Sequence, residues 1–304
     1  MLDDLLERFQ HGDRLALSRL LSFAAQGKAS PELLARLPAA AKPSRVVAFT
    51  GSGGVGKSSL IGKMIDVVRR QGPTVAVLAC DPQSSVSGGA LLGDRFRMSP
   101  GGMSGRVDDG IFIRSLAALS GHGAVADHLE NMCRLLESFG FAVIFLETVG
   151  AGQGDVAVRD LADVVVLLLQ PETGDDLQWE KAGVLEVADL VVVHKGDLPG
   201  ADQVVAQVKG ALELSHAGAV PVLKVSARGD LGLQELWLAI EACRLRRLPD
   251  AGSRRELLRL VQDELACRFR ALANDPELSK LVDGWRQGAI SSAEAFGIVM
   301  KMIG

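Results

Sequence analysis

Residues 45–60 read RVVAFTGSGGVGKSSL. An apolar, β-branched run from Arg45 to Thr50 gives way to a glycine-rich turn. The turn leads into Lys57-Ser58-Ser59-Leu60, the opening of a helical pattern over 57–71. Gly51-Ser52-Gly53-Gly54-Val55-Gly56-Lys57-Ser58 fits G-x-x-x-x-G-K-[ST]. The glycines let the backbone curl until several N–H groups point at one anion, and the positive end of the following helix adds to them. In that geometry a lysine ammonium reaches the β- and γ-phosphates of a nucleotide, and the serine hydroxyl completes a Mg²⁺ shell. The expected nucleotide contacts are Gly51, Ser52, Gly53, Gly54, Val55, Gly56, Lys57, Ser58 and Ser59. A glycine-rich strand–helix turn without ligand is the competing reading, and the strand before and helix after it argue against that.

The same texture recurs outward from this stretch. The runs TVAVLACD, GIFIRS, FAVIFLET, DVVVLLLQ, DLVVVHKGD and AVPVLKVSA alternate with helical patterns at 124–139, 155–162, 178–188, 201–214 and 231–247. Strands that are apolar throughout are covered on both faces. Their alternation with helices predicts an α/β fold with a doubly wound, mostly parallel sheet.

The flanks differ. Residues 2–26 carry Leu5, Phe9, Leu15, Leu17, Leu20, Leu21 and Phe23 at helical spacing, with a break at Gly12-Asp13 where Asp13 is a plausible N-cap. Pro38 to Pro43 reads as a linker. After Pro249 no strand-like run follows. Leu257, Leu258, Val261, Leu265, Phe269 and Leu272 form a helical stripe, Asn274-Asp275-Pro276 breaks it, and another helix begins near Ser291. The expected division is an N-terminal helical extension (1–43), a central α/β domain (44–249) and a C-terminal helical arm (250–304).

The 304 residues are 48% hydrophobic and 23% charged, enough apolar material for a core. Lys plus Arg is 33 against Asp plus Glu 37, so no net positive charge invites nucleic acid or a membrane surface. The four cysteines show no C-x-x-C spacing, which argues against a disulfide framework or structural zinc. The acidic opening MLDDLLERFQ is unlike a secretory signal, and the apolar runs are short. The expectation is a reduced, cytoplasmic protein.

In a parallel sheet the strand C-termini share the edge where ligands bind. Asp81, ending the second run, and Glu147, ending the fourth, are expected to flank the phosphate loop, with Asp94 following in GGALLGD. Carboxylates there hold Mg²⁺ directly or through its waters. A plain turn competes as the reading of Asp81-Pro82 and of Gly93-Asp94. The sixth run ends in His194-Lys195-Gly196-Asp197. An aspartate accepts two hydrogen bonds from guanine N1–H and N2–H₂, a pair that adenine does not offer. The Lys195 stem covers a purine face, and Ser226-Ala227 after the last run supplies a backbone N–H for the guanine carbonyl. A solvated turn is the alternative for this tetrapeptide.

These motifs bring the chain to a family. GSGGVGKSS, LACDPQSSVSGGALLGDRFRM, IFIRS, ETVGAGQGD, PETGDDLQWEKAGVLEVADL and HKGD resemble those of the MeaB/ArgK/MMAA group of P-loop GTPases, the G-protein chaperones of adenosylcobalamin-dependent acyl-CoA mutases. The resemblance covers nearly the whole chain. It implies GTP and GDP as ligands, Mg²⁺ as cofactor, and a metal set of Ser58, Asp81, Asp94 and Glu147. The candidate catalytic residues are Lys57, Asp94, Glu147 and Gln153, the last for orienting water or coupling to the partner. It further implies that Asp175, Asp176, Gln178 and Lys181 answer a mutase partner, and that the C-terminal helices form a homodimer. Trp179 in that stretch reads equally as a partner contact or as helix packing. Arg95, Arg97 and Arg114 are candidates for neutralising transition-state charge. Two other readings remain: a kinase of the ArgK type, and a nucleotide-gated scaffold without significant hydrolysis.

One departure stands out. The family pattern is Asn-Lys-x-Asp, and position 194 is His. Histidine offers one donor and one acceptor in a different shape from an amide. Guanine preference is expected to survive through Asp197, with affinity reduced.

Overall fold

The β-branched runs become strands, and the wholly apolar central ones are buried on both faces. In the computed structural model the strands are β1 (Arg45–Gly51), β2 (Val75–Asp81), β3 (Ile111–Ala117), β4 (Val143–Glu147), β5 (Val164–Leu169), β6 (Leu190–Val193) and β7 (Val222–Lys224). The structure describes residues 2–81, 108–117, 124–148, 159, 161–171, 185, 188–214, 220–246, 261, 265, 268, 269, 272 and 275–302. The seven strands form one sheet in the order β3-β2-β4-β1-β5-β6-β7. Every pairing among them is parallel. The sheet expected to be mostly parallel is therefore wholly so among the described residues. The chain moves to one side after β1 and to the other after β4, so the C-terminal ends of β1 and β4 sit at the switch in winding direction.

The helices that cover this sheet are α1 (Leu2–Gln10), α2 (Arg14–Ala25), α3 (Pro31–Ala35), α4 (Lys57–Arg70), α5 (Ala124–Phe139), α6 (Ala201–Leu214) and α7 (Leu233–Ala242). Successive strand residues point to opposite faces, and the core divides accordingly. Val46, Ala48, Ile144 and Leu146 pack with Leu17, Leu20 and Leu21 of α2 and Leu135 and Leu136 of α5. Val47, Phe49, Val143 and Phe145 pack with Leu60, Ile61 and Met64 of α4 and Leu236 and Trp237 of α7. Leu167, Leu169, Val191 and Val193 meet Val204 and Val208 of α6. Trp237 donates its indole N–H to Gln71 Oε1 at 3.0 Å, joining α7 to the end of α4.

The N-terminal helices are built into this core. Asp13 caps α2, accepting from Leu15 N at 2.7 Å and Ala16 N at 3.2 Å. Arg114 of the edge strand β3 donates to Ser18 O and Ser22 Oγ of α2, both at 3.0 Å. Its guanidinium is thus engaged with the N-terminal helix, away from the role of charge neutraliser at the strand ends. The helix expected over 231–247 is shorter. It starts after Gly232 at φ 69° and ends where Cys243 turns extended. Arg45 caps its last turn, donating to Ile240 O at 2.9 Å and Cys243 O at 2.8 Å.

Two compact units divide the chain, Met1–Arg246 and Arg247–Gly304. In the second, α8 (Pro276–Arg286) has Asp275 as N-cap and Pro276 in its first turn. A capping box opens α9 (Ser292–Met302): Glu294 N donates to Ser291 Oγ at 3.2 Å and Ser291 N donates to Glu294 Oε2 at 3.0 Å. Of the stripe over 257–272, Val261, Leu265 and Phe269 are helical and Leu272 lies in a turn, while Leu257 and Leu258 lie outside the described residues. Among the described residues no helix is long and apolar enough to cross a membrane.

Candidate functional site: a nucleotide cradle at the strand C-termini

The turn from β1 to α4 is held by two glycines for different reasons. A Cβ on Gly51, at φ 143°, would lie 2.4 Å from Leu168 O of β5. A Cβ on Gly56, at φ 98°, would lie 2.6 Å from the imidazole Cε1 of His194. Gly53, by contrast, would meet nothing within 4 Å and has no left-handed backbone to demand a glycine. Among the described residues nothing gives Gly53 a steric reason to lack a side chain.

Helix α4 begins at Gly56 with no side-chain cap and no acid in its first turn. Its first N–H groups and the positive end of its dipole therefore face the loop without a competing side-chain acceptor. Lys57 is 8% exposed, and its ammonium donates to Gly51 O at 2.9 Å and Ser52 O at 3.2 Å. These carbonyls hold the cation at the loop that would seat a phosphate chain.

Next to it, Ser58 Oγ donates to Glu147 Oε1 at 2.6 Å. The strand register explains the meeting. Glu147 is level with Phe49 of β1 and with Ala79 of β2. The last residue of β4 therefore stands beside the strand that feeds the phosphate loop. Asp81 lies two residues beyond Ala79 at the end of β2, on the same edge. The hydroxyl and carboxylate are hard oxygen donors of the kind Mg²⁺ takes, and their proximity fits that ion.

The turn after β6 is on the other side of β1. His194 leaves β6, and Lys195 adopts φ 56°, a conformation uncommon for a side-chain-bearing residue. Leu198 N closes the turn on Lys195 O at 2.9 Å. Gly196 sits where a Cβ would approach Lys224 Cγ to 2.5 Å, so glycine lets the turn pack on β7 without displacing that side chain. The result is an exposed Asp197 carboxylate. The Ser226 hydroxyl donates to it and, helped by the charge of Arg228, holds it below the usual carboxylate range. Ser226 Oγ in turn accepts Gly229 N–H at 3.1 Å. His194 is 4% exposed, contacting Val55 O at 2.8 Å through Nδ1 and accepting from Ala227 N at 3.4 Å through Nε2.

With this geometry in place, the comparisons decide the family. Residues 17–278 match the family described as "Methylmalonyl Co-A mutase-associated GTPase MeaB". The chain belongs to the MeaB family of P-loop GTPases. A protein of Pyrococcus abyssi that carries GTPase in its name is 34% identical over 100% of this chain and 97% of its own. The Mus musculus "Methylmalonic aciduria type A homolog, mitochondrial" is 38% identical over 63% of this chain and 47% of its own. The "Fused isobutyryl-CoA mutase" of Cupriavidus metallidurans is 37% identical over 68% of this chain and 19% of its own. A crystal structure titled as a LAO/AO transport system kinase superposes with TM-score 0.69 at 22% identity, covering 99% of this chain and 97% of the other. At that identity the likeness is one of fold.

The expected site residues divide in two. Gly51 to Ser59, Glu147, Lys195, Asp197, Ser226 and Ala227 all lie at the C-terminal edge of this MeaB-family sheet, on strand ends, on the loops that follow them and on the first turn of α4. Asp81 shares that edge by backbone position. Asp94, Gln153, Asp175, Asp176, Gln178 and Lys181 lie outside the described residues, as do Arg95 and Arg97. Two participants escaped the sequence reading. Arg228, directly after Ser226-Ala227, acts on Asp197, and Lys63 pairs with Asp230 at 2.8 Å to tie α4 to the same turn. A cation directly after the candidate base-contacting pair Ser226-Ala227 was the available signal for the first.

Proposed function

We propose that this chain hydrolyses GTP to gate the loading, protection or reactivation of the cobalamin cofactor in an adenosylcobalamin-dependent acyl-CoA mutase. The observation that supports the partner most directly is the Cupriavidus metallidurans relative, in which a segment similar to this chain is part of a protein named as a mutase.

In this reading the loop from Gly51 to Gly56 and the start of α4 seat the β- and γ-phosphates, and Lys57 leaves the Gly51 and Ser52 carbonyls to pair with them. Ser58 and Glu147 hold Mg²⁺, with Asp81 and Asp94 contributing to its surroundings. When bound, that ion neutralises charge on the phosphate oxygens. Asp197, kept ionised by Ser226, accepts from guanine N1–H and N2–H₂, and Ala227 N–H meets the guanine carbonyl. Adenine in this place leaves the carboxylate unpaired, which sets the preference for GTP. Water attacks the γ-phosphorus with Gln153 orienting it, the bond to the bridging oxygen breaks, and GDP and phosphate leave.

Loss of the γ-phosphate releases the segments that carry Asp94, Glu147 and residues 171–181. Asp175, Asp176, Gln178 and Lys181 then pass that change to the mutase. Intrinsic hydrolysis is slow in this scheme, because the partner completes the site. The C-terminal helices serve as a homodimerisation arm. On α8 and α9, Trp285 is 50% and Phe296 66% exposed, which supports that assignment.

The test is GTP turnover by the purified chain alone and with each adenosylcobalamin-dependent mutase of its source titrated in. One mutase is expected to raise turnover and to co-purify in a manner that depends on GDP or a non-hydrolysable GTP analogue. Turnover that no mutase alters, together with no co-purification, overturns the proposal.

A further inference from the structure

The residue that departs from the family pattern is the one that ties the two halves of the site together. His194 is buried, and its ring nitrogens meet two backbone groups of opposite kind. Val55 O, on Nδ1 at 2.8 Å, can only accept. Ala227 N–H, on Nε2 at 3.4 Å, can only donate. Only one protonation state satisfies both: hydrogen on Nδ1 and a lone pair on Nε2. The ring also lies against the hydrogen-only face of Gly56, where a Cβ would reach 2.6 Å from it. A single neutral imidazole thus joins the exit of β6, the phosphate loop and the turn after β7. Those segments respectively supply the Asp197 carboxylate, the phosphate cradle and the Ala227 amide. Because both ring nitrogens are occupied inside the protein, neither is free for the base.

Resting on the guanine-pocket reading above, we propose that His194 is a positioning residue that couples base recognition to the phosphate loop only as the neutral Nδ1–H tautomer, so that guanine-nucleotide binding by this protein weakens on acidification. A second ring proton would sit on Nε2 and confront the Ala227 N–H, donor against donor. The turn bearing Ala227 must then part from the ring, and the base loses its fixed distance from the phosphates.

Among the described residues the charged groups around the ring are few. Lys195 and Asp197 flank it on its own turn, the first opposing and the second favouring a ring charge. Lys57 on the phosphate-loop side turns its ammonium to Gly51 and Ser52. Arg228 on the turn after β7 acts on Asp197, and Asp230 beside it pairs with Lys63. Burial, the largest influence, pushes His194 below its ordinary value of 6.5. The tie is therefore complete at neutral pH and is lost as pH falls through that lowered value.

An asparagine at 194 can donate to Val55 O and accept from Ala227 N–H without titrating. The experiment is calorimetric GDP affinity of the full chain and of His194→Asn between about pH 7.5 and about pH 5.5. The terminal phosphate of GDP titrates alike for both proteins, so the difference between the two profiles reports residue 194. The wild-type chain is expected to lose more affinity than the variant toward the acid end of this window, by less than about tenfold because the ring titrates below 6.5. Superimposable profiles overturn the proposal while leaving the guanine pocket intact. No GDP binding by either protein at neutral pH overturns both. A second readout does not depend on the variant's affinity. Imidazole ¹⁵N resonances of the wild-type chain, with His194 assigned by its loss in His194→Asn, are expected to show the Nδ1–H form at neutral pH. A signal of the Nε2–H form overturns the proposal.

Discussion

Ser58 and Glu147 are 89 positions apart, yet the hydroxyl of one donates to the carboxylate of the other at 2.6 Å. The parallel register creates the contact, since Glu147 ends β4 level with Phe49, and α4 returns Ser58 to the same edge. Replacing Glu147 by Gln keeps the shape and removes the hard anionic oxygen proposed to hold Mg²⁺. GTP hydrolysis by Glu147→Gln is expected to fall by about tenfold to a thousandfold at fixed Mg²⁺. GDP affinity measured in a chelator is expected to stay near the wild-type value. A variant with full turnover would remove Glu147 from the metal set.

Asp197 supports a prediction about the base. Its carboxylate is exposed and its place is fixed by Ser226. Asp197→Asn exchanges one of two acceptors for a donor, which mismatches guanine and matches the second carbonyl of xanthine. GTP affinity is expected to fall by about a hundredfold and xanthosine triphosphate to become the better ligand. Competition binding with the two triphosphates checks this, and unaltered GTP preference would take Asp197 out of the pocket.

The sequence announced the sheet more clearly than its surroundings. Runs such as VVVLLL from Val164 to Leu169 have both faces apolar, and burial on both faces is what the structure gives them. The helical period of residues 14–25 was equally legible. Period alone says that one face is buried and not against what, so Leu17 and Leu20 read as part of a separate extension. In the fold they share a core with Val46 and Ile144. His194 shows the same limit at the site. Its chemistry as one donor and one acceptor was readable, while the identity of its partners, 139 and 33 positions away, required the folded chain.

The phosphate loop separates two glycines required by the fold, Gly51 and Gly56, from Gly53, which meets no described neighbour. Gly51→Ala drives a methyl to 2.4 Å from the Leu168 carbonyl of the adjacent strand, in a backbone conformation that side chains avoid. It is expected to destabilise the protein by about 2–4 kcal/mol. Gly53→Ala meets open space and ordinary backbone, so its thermal midpoint is expected to stay near the wild-type value. Its nucleotide affinity is expected to fall by about tenfold or more, because the methyl enters the volume in which a phosphate would lie. Thermal denaturation and calorimetry on the pair check both halves. Wild-type affinity in a folded Gly53→Ala would place the nucleotide elsewhere.

His194 also has a consequence for folding that needs no nucleotide. Its native value lies below the unfolded one, because burial disfavours the charge. The unfolded chain therefore binds the proton more readily, and stability rises with pH across the interval between the two values. The contribution is complete above about 6.5, the ordinary histidine value, and falls away on acidification. Urea denaturation at stepped pH is expected to show a steeper loss below that point for the wild-type chain than for His194→Asn. Parallel curves would mean that the ring is not buried neutral.

The opposite edge of the sheet gives a control for all of these variants. Asp163 precedes β5, is 1% exposed, and accepts from Val46 N at 2.9 Å and Arg246 N at 3.0 Å. Asp189 plays the matching part before β6, accepting from Val165 N at 2.8 Å and pairing with the Arg246 guanidinium. The Ala-Asp pair repeated before each of these apolar runs was the sequence signal for this lock. Asp163→Ala leaves two amides without their acceptor, one of them in the central strand, and is expected to cost about 2–4 kcal/mol of stability. Because the lock stands at the strand N-termini, far along β1 and β5 from the phosphate loop, GDP affinity of the folded variant is expected to remain within about twofold of the wild-type value. Denaturation and calorimetry on the same sample measure both quantities. A large affinity loss without a stability loss would mean that the two edges of the sheet are coupled, and that the segment leading into the C-terminal unit senses the nucleotide.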